Sequence, residues 1–249
     1  MKKILIYGHK SFLAKNFIND YNEKYKFYFY KVYFKDQKYF KRNLQSFIKK
    51  NKIKYLINFA ANNDNFIKTI NFNGIIRSNF NLPVTLIEIS NNLKIDLILF
   101  LSKEIDSSKY IKNFYAISKL MLKSYIQTAR LTCKLRIFNI DSVYGPFDKN
   151  LKRLVPSICL KILNKNKKDK INLNQMKRLL YVKDINRVIS KFLNLKKKYY
   201  FREIKSNLYN VKELYIYLKN SNLNLKKKIK FCTFVETLKW YKKHYGKTK

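Results

Sequence analysis

The amino-acid sequence predicts an α/β fold built on a doubly wound parallel sheet, followed by a smaller C-terminal lobe. Short apolar runs typical of buried strands alternate with segments of helical periodicity as far as residue 140. A glycine, Gly8, directly follows the first apolar run, where a parallel sheet needs a tight turn into a helix. This alternation loosens after Tyr144-Gly145-Pro146. We therefore expect a main unit over residues 1–146 and a second over residues 147–249.

Strands and helices alternate regularly through the first unit. Each predicted strand is a short apolar or aromatic run, and each predicted helix has apolar side chains three or four positions apart. The predicted strands cover residues 3–7, 26–34, 55–60, 95–101 and 134–140. The first predicted helix carries Leu13, Phe17, Ile18, Tyr21 and Tyr25, the second begins after Asp36 as its N-cap, and two more cover residues 82–92 and 113–130. This order predicts a parallel sheet with ligands at the carboxyl ends of its strands.

The second unit has a less regular pattern. Helical periodicity covers residues 156–163, 184–195, 211–219 and 235–245, and residues 179–182 form a short predicted strand. We expect these elements to form a small appended lobe.

Composition restricts the class of protein. With 249 residues, of which 47% are hydrophobic, the chain can bury a sizeable core. Its three cysteines, Cys133, Cys159 and Cys232, are far apart and have neither metal-ligand nor redox spacing, which suits a reducing compartment. No apolar run approaches the roughly 18 residues of a membrane span, and the first one is too short for a secretory signal. We therefore expect a cytoplasmic protein with no membrane span and no metal site.

The net charge of +40 is the most unusual feature of the composition. Such a charge is typical of proteins that bind nucleic acid or an anionic surface. However, the five abundant residues Lys, Asn, Ile, Tyr and Phe all have AT-rich codons, and the lysines occur in every segment. Only short clusters are present, at residues 165–170, 196–198 and 226–228. We therefore attribute the charge mainly to base composition, and nucleic-acid binding is the less favoured interpretation.

The segment from Gly8 to Ala14 lies where a dinucleotide-binding turn is expected. In such a turn the first glycine allows the tight bend, the second lets the backbone approach a pyrophosphate, and the third small residue lets the helix pack closely. Gly8 and Ala14 fit the first and third positions, and Ser11 stands at the second. The same segment also fits an ordinary turn between a strand and a helix.

Tyr115 and Lys119 are four positions apart, which places the phenol and the ammonium on one face of a predicted helix. A nearby ammonium lowers the pKa of a phenol, so that it can act as acid or base toward a sugar hydroxyl or carbonyl. This helix is the next one after the strand that ends at Ser102, whose hydroxyl can bind the same substrate oxygen. The pattern predicts a proton-transfer site made by these three residues.

Taken together, the motifs resemble the NAD-dependent epimerase/dehydratase family, the extended short-chain dehydrogenases/reductases, over nearly the whole chain. The strand that ends in Ala60-Ala61 and the helix opening at Asn79 match this family. The other matches are residues 135–139, Val143-Tyr144-Gly145-Pro146, the strand with Arg178 at residues 177–184, and the last helix at residues 234–245. The resemblance implies a Rossmann-type fold, a homodimer, and a nucleotide-sugar enzyme of polysaccharide biosynthesis.

The resemblance also implies a role for each matching residue. Tyr115 would be the proton donor or acceptor, Lys119 would hold the nicotinamide ribose and tune Tyr115, and Ser102 would orient the substrate oxygen. The cofactor, NAD or NADP, would lie along Gly8, Ser11, Phe12, Leu13, Ala60 and Ala61. Arg178 would bind the substrate phosphates, or be a solvated charge on an edge strand. Asn139 or Ser142 would occupy the position of the family's substrate-binding asparagine.

Departures from the family pattern narrow the reaction. Lys31 stands near the end of the second strand, where an acidic residue would select NAD, and this favours NADP. Dehydratases of the family carry Asp-Glu after the serine or threonine, whereas this chain has Lys103-Glu104, and its two histidines, His9 and His244, do not match the added bases of some epimerases. A keto-sugar reductase or an epimerase with one transient ketone remains. The alternative is a degenerate relative that binds a ligand, such as RNA, without catalysis.

Overall fold

The computed structural model describes residues 1–31, 36–63, 72–106, 113–163, 171–196, 199–221 and 231–246. The chain forms two compact units, one of residues 1–140 with 188–204 and one of residues 141–187 with 205–249. The predicted division at residue 146 did not include this return of the chain to the first unit. The return occurs because residues 199–203 form a strand that extends the first sheet.

The first unit contains a six-stranded parallel sheet, as the alternating pattern predicts. The strands are β1 (Lys2–Tyr7), β2 (Tyr25–Phe29), β3 (Tyr55–Asn58), β4 (Asp96–Ser102), β5 (Leu135–Ile140) and β8 (Tyr199–Glu203). Their order is β2-β1-β3-β4-β5-β8, and every pair is parallel. The connection reverses direction between β1 and β3, and such a switch point is where open α/β sheets bind ligands.

Helices cover both faces of this sheet. They are α1 (Phe12–Tyr21), α2 (Gln37–Lys50), α3 (Phe72–Ile76), α4 (Leu82–Leu93) and α5 (Phe114–Thr128), and α3 continues through a π-helical turn, Arg77–Asn81, into α4. Buried side chains of α2, α4 and α5 form one hydrophobic core with β1, β3, β4 and β5. On the opposite face, Phe17 of α1 packs against Phe27 and Phe59, with ring centroids 5.8 and 5.9 Å apart. The doubly wound arrangement is thus present.

The second unit is built on a three-stranded sheet. Its strands are β6 (Ser142–Tyr144), β7 (Met176–Tyr181) and β9 (Asn207–Asn210), in the order β6-β7-β9, with β7 parallel to β6 and antiparallel to β9. The helices are α6 (Leu154–Ile162), α8 (Val211–Ser221) and α9 (Cys232–Tyr245), while α7 (Val182–Phe192) begins in this unit and ends in the first. Tyr144 stacks on Phe234 with ring centroids 4.0 Å apart, so aromatic packing joins the sheet to α9.

Tyr25 was expected on the first helix and instead begins β2. The helix ends at Tyr21, and the Lys24 amide donates to the Tyr21 carbonyl at 3.1 Å in the turn that follows. Tyr25 still contacts the rings of Phe17 and Tyr21, at 6.2 and 5.6 Å between centroids. Packing between the strand and the helix therefore produces the apolar spacing that the sequence pattern attributes to one helix.

Other differences concern short or exposed elements. β6, β8 and β9 have no predicted counterpart, and neither do α3 and the π-helical turn. β8 presents Tyr199 and Phe201 largely to solvent, so its pattern is not that of a buried strand. The predicted second strand reaches residue 34, whereas β2 ends at Phe29 and residues 32–35 lie outside the described part.

In the described part of the chain, none of the helices has the length and apolar composition to cross a membrane. Cys133, Cys159 and Cys232 are free thiols.

Candidate active site

The turn after β1 is packed against the segment that follows β3. Gly8 has φ of +78°, and a Cβ atom there would lie 2.4 Å from the backbone nitrogen of Ala60. A side chain is excluded both by this contact and by the left-handed backbone. Asn58 bends the neighbouring segment, because its Oδ1 accepts from the Ala60 amide at 3.0 Å. Gly8 and Ala60 therefore meet at the switch point of the sheet.

Ser11 caps the first helix. Its backbone is extended, with φ −65° and ψ 154°, and its Oγ accepts from the Ala14 amide at 3.2 Å. A serine adopts these angles without strain and is a preferred N-cap residue. Phe12 and Leu13 begin α1, so the positive end of the helix dipole is directed toward the Gly8 turn. The serine in place of a glycine is thus compatible with a helix start at the predicted position.

Positive charge surrounds His9 beside this turn. The His9 ring contacts Phe29 at the end of β2, with centroids 5.3 Å apart. Burial lowers the pKa of His9 first, and the charges of Lys10, Lys31 and Lys15 lower it further. Lys31, the residue singled out for cofactor choice, is thus close enough to His9 to affect its ionisation.

Tyr115 and Lys119 both lie on α5, at its beginning. Lys119 is 4% exposed, and its Nζ donates to the Phe100 carbonyl of β4 at 3.0 Å. The same Nζ lies 5.8 Å from the centre of the Tyr115 ring. Burial lowers the pKa of Lys119 to about 8. The predicted pair therefore shares one helix face, with the ammonium beneath the phenol ring and held by the sheet.

Ser102 and Asn139 lie on neighbouring strands. Ser102 ends β4, and its Oγ accepts from the Glu104 amide at 3.3 Å. Asn139 is fully buried in β5, and the two strands pair Leu101 with Asn139. Part of the segment between Ser102 and Tyr115, residues 107–112, lies outside the described residues.

A pocket in the first unit joins several of these residues. Its lining includes Leu13 of α1, Ala60 and Ala61 after β3, and Tyr115 and Lys119 of α5. The rest of the lining is mainly apolar and comes from β3, β4, α4 and α5, and Gly8, Lys31 and Ser102 are not part of it. The pocket therefore places the predicted proton-transfer pair beside residues assigned to the cofactor.

Ser142 and Arg178 belong to the second unit. Ser142 begins β6 and pairs with Leu179, so it lies beside the residue that follows Arg178 in β7. Arg178 is exposed and stands opposite Leu208 of β9. These two predicted substrate residues are therefore on adjacent strands of the small sheet.

Two contacts near the site were not anticipated from the sequence. One is the Phe100 carbonyl that accepts from Lys119, because a backbone acceptor leaves no signal in residue types. The other is the set of bonds made by Asn79, whose side chain binds Asn62 and Ser118. Ser118 lies between Tyr115 and Lys119 in the sequence, and this position is the signal that could have identified it.

No metal site is evident over the described ranges, where no group of three or more His, Cys, Asp or Glu side chains could hold an ion.

Comparison with solved structures supports the same architecture. UDP-glucose 4-epimerase of Thermotoga maritima, solved with UDP-glucose, has a TM-score of 0.77 and 14% identity, and the match covers 97% of this chain and 99% of that one. dTDP-glucose 4,6-dehydratase of Bacillus anthracis, in complex with NAD, has a TM-score of 0.72 and 19% identity over 98% of both chains. dTDP-4-dehydrorhamnose reductase of the same organism, in complex with NADP, has a TM-score of 0.73 and 16% identity, covering 92% of this chain and 84% of that one.

Sequence comparison identifies the family. None of the curated protein sequences is similar enough to this chain to count as a match. The family model described as "NAD dependent epimerase/dehydratase family" matches residues 4–201, which is most of the chain and includes the whole pocket lining. The chain therefore belongs to the NAD-dependent epimerase/dehydratase family.

Proposed function

We propose that this protein is an NAD(P)-dependent nucleotide-sugar epimerase or keto-sugar reductase, in which Tyr115 transfers a proton while hydride moves at one sugar carbon. The observation that carries the proposal is the pocket at the switch point. Tyr115 and Lys119 line it together with Leu13, Ala60 and Ala61. An acid/base pair beside a dinucleotide site is the arrangement that hydride transfer to a carbonyl requires.

The residues at the turn fit a dinucleotide. Gly8 lets the backbone after β1 approach Ala60 more closely than any side chain would permit. The start of α1 directs its dipole to the same place, which favours the charge of a pyrophosphate. Gly8, Ser11, Phe12 and Leu13 would hold this pyrophosphate, and Ala60 and Ala61 would lie along the rest of the cofactor. When bound, the nicotinamide supplies or accepts the hydride.

Lys119 prepares Tyr115 for proton transfer. Its ammonium is fixed by the Phe100 carbonyl and lies 5.8 Å from the centre of the Tyr115 ring. A positive charge held this close in a buried site stabilises the phenolate more than a solvated charge would. Tyr115 can therefore release its proton toward a carbonyl oxygen, or remove one from a hydroxyl, near neutral pH. Ser102 would orient that oxygen.

The choice between cofactors is proposed from the charges near the turn. Lys10, Lys15 and Lys31 all act on the ionisation of His9, so their positive charges converge beside the end of β2. A 2′-phosphate on the adenosine ribose would meet these charges, whereas the hydroxyl of NAD would gain little from them. We therefore favour NADP.

The second unit would bind the nucleotide-linked sugar. Arg178 is exposed, and its guanidinium matches a phosphate in shape and charge. Ser142, on the neighbouring strand, or Asn139, at the carboxyl end of β5, would bind another part of the substrate. We also propose a cytoplasmic homodimer, as the free, widely spaced cysteines and the family suggest.

The test combines binding and turnover. Purified protein is titrated with NAD and NADP, in both redox states, and assayed with UDP- and dTDP-linked hexoses and their 4-keto derivatives. We expect tighter binding of NADP and turnover of at least one nucleotide sugar. Tyr115→Phe should lower kcat about a hundredfold or more while the dinucleotide affinity stays near that of the wild type.

Two results would contradict the proposal. Near-normal turnover by Tyr115→Phe would remove Tyr115 from the mechanism. Failure of the wild-type protein to bind any nicotinamide dinucleotide would favour the non-catalytic binding module.

A further inference from the structure

Asn79 is a fully buried side chain with three hydrogen bonds. It lies in the π-helical turn Arg77–Asn81 and has no solvent exposure. Its Oδ1 accepts from the Asn62 amide at 2.8 Å, and its Nδ2 donates to the Asn62 carbonyl at 2.7 Å. Nδ2 also donates to Ser118 Oγ at 3.1 Å. One side chain therefore binds both backbone groups of one residue and the hydroxyl of another.

These bonds connect the two sides of the pocket. Asn62 directly follows Ala60 and Ala61, which line the pocket after β3. Ser118 lies on α5, and its Oγ donates to the Tyr115 carbonyl at 2.7 Å. Asn79 is thus linked through one hydroxyl to the helical turn that carries the proposed acid/base.

The direction of each bond is fixed by chemistry. A backbone carbonyl only accepts, so the Ser118 hydroxyl must donate to Tyr115, and its oxygen must accept from Asn79. The Asn62 amide needs an oxygen opposite it, so the side-chain amide of Asn79 has one satisfactory orientation. A carboxylate in its place would direct an acceptor at the Asn62 carbonyl. The position therefore requires an amide, rather than any small polar side chain.

The surrounding backbone has an unusual conformation. The Leu82 amide donates to the Arg77 carbonyl, which is the i to i+5 spacing of a π-helix, and the chain then enters α4 with Pro83 in its first turn. π-helical turns are rare in proteins and are frequent at functional sites. Pro83 itself lines the pocket. The extra residue of this turn lies between α3 and α4, where Asn79 contacts both Asn62 and α5.

We propose that Asn79 is a positioning residue for proton transfer: through Ser118 it holds the Tyr115 turn of α5 in a fixed place against the segment Ala60–Asn62. The proposal rests on the proposed function, because it assigns Asn79 a role in the step that Tyr115 performs. Asn79 itself does not line the pocket. Its effect is therefore expected in the rate of the reaction more than in the affinity for the dinucleotide.

Two variants test this link. Asn79→Asp keeps the shape of the side chain and removes both donated bonds, and Ser118→Ala removes only the connection to α5. Asn91→Asp is the matched control. Asn91 lies on α4 and makes the same kind of bonds, accepting from the amides of Thr132 and Cys133 at 2.9 and 3.0 Å and donating to the Arg130 carbonyl at 3.2 Å.

The measurements are kcat and KM for the nucleotide sugar that the wild type converts fastest, the Kd of NADP, and Tm. We expect Asn79→Asp and Ser118→Ala to lower kcat about tenfold or more and to change the Kd less than about threefold. Asn91→Asp should lower Tm and leave kcat within about twofold of the wild type. A purely structural role would instead give the same relation between Tm and kcat for all three variants.

The outcomes separate this inference from the proposed function. A wild-type kcat retained in Ser118→Ala, or an equal loss of kcat in Asn91→Asp, would overturn the positioning role and leave the proposed function standing. A wild-type protein that neither binds a nicotinamide dinucleotide nor converts a nucleotide sugar would overturn the proposed function, and this inference with it.

Discussion

Individual residues of the first unit were identified well from the sequence where their type has one use. Gly8 is the clearest case, because only glycine fits a left-handed turn whose Cβ would lie 2.4 Å from a backbone nitrogen. Ser11 was less clear, because the sequence left open whether its side chain would crowd a phosphate. Its bond to the Ala14 amide, as an N-cap, could not be assigned before the helix start was known. Asn79 was noted only for its position, since its buried partners are distant in sequence.

Gly8→Ala tests the close approach of the two backbones. We expect the added Cβ to displace the turn and lower NADP affinity at least about tenfold, since left-handed angles alone cost a non-glycine residue about 1–2 kcal/mol. The measurement is the Kd of NADP, with circular dichroism as a check on folding. Gly145→Ala is a control, because Gly145 has φ of +153° and a Cβ there would lie 2.4 Å from Val182 Cγ1 in the second unit. Unchanged affinity in folded Gly8→Ala protein would show that the turn does not bind the cofactor.

Lys119→Met tests the buried ammonium through the pH dependence of stability. The folded-state pKa of Lys119 is about 8, below the model value of 10.5, so the unfolded chain binds more protons between these two values. The free energy of unfolding contributed by this group is constant below pH 8 and rises as the pH increases from about 8 toward 10.5. Relative to Lys119→Met, the wild type should therefore gain stability in this window, on the order of 3 kcal/mol. Urea unfolding at several pH values measures the difference, and a constant difference would contradict a depressed pKa.

At the scale of elements, the sequence predicted those that have both a cap and a buried face. Asp36 and Asn113 stand before α2 and α5, and each side chain accepts an amide of the first turn, from Tyr39 at 2.6 Å and from Ala116 at 2.7 Å. β8 and β9 were not predicted, because their side chains are largely exposed and the strands are short. Tertiary pairing, rather than local pattern, stabilises them. The return of the chain to the first unit could not be predicted for the same reason.

Asn113→Ala tests whether the start of α5 matters for catalysis as well as for stability. Loss of an N-cap costs about 1 kcal/mol in free energy of unfolding, and Tyr115 lies in the turn that this cap fixes. We expect kcat to fall severalfold in addition to the loss of stability. Asp36→Ala removes the equivalent bond from α2, which carries none of the predicted site residues, so it should lose similar stability and keep kcat. Equal kcat values in the two variants would show that this cap has only a structural role.

At the scale of the whole molecule, charge is the property that the fold explains least. The chain has 55 Lys and Arg against 15 Asp and Glu, so most cations cannot be paired with a carboxylate. The ion pairs of the described residues occur in both units, for example Lys41 with Glu88 and Arg153 with Asp148. Most of the residues in the three lysine clusters, 165–170, 196–198 and 226–228, lie outside the described residues. The hypothesis that base composition causes the charge therefore stays a prediction.

Salt dependence of RNA binding tests that hypothesis. If lysine enrichment follows base composition, its charges were not selected to contact bases, so binding should come from counterion release alone. Two unrelated single-stranded RNAs of equal length should then bind with similar affinity at about 20 mM salt, and both should lose most of that affinity at about 150 mM, where charges more than about 8 Å apart are screened. Fluorescence anisotropy measures both, and NADP titrations at the same salt concentrations are the control, because a cofactor held partly by backbone contacts loses less affinity. Tight binding of one RNA over the other at about 150 mM salt would require base-specific contacts, and would restore the interpretation of this family member as a nucleic-acid binding module.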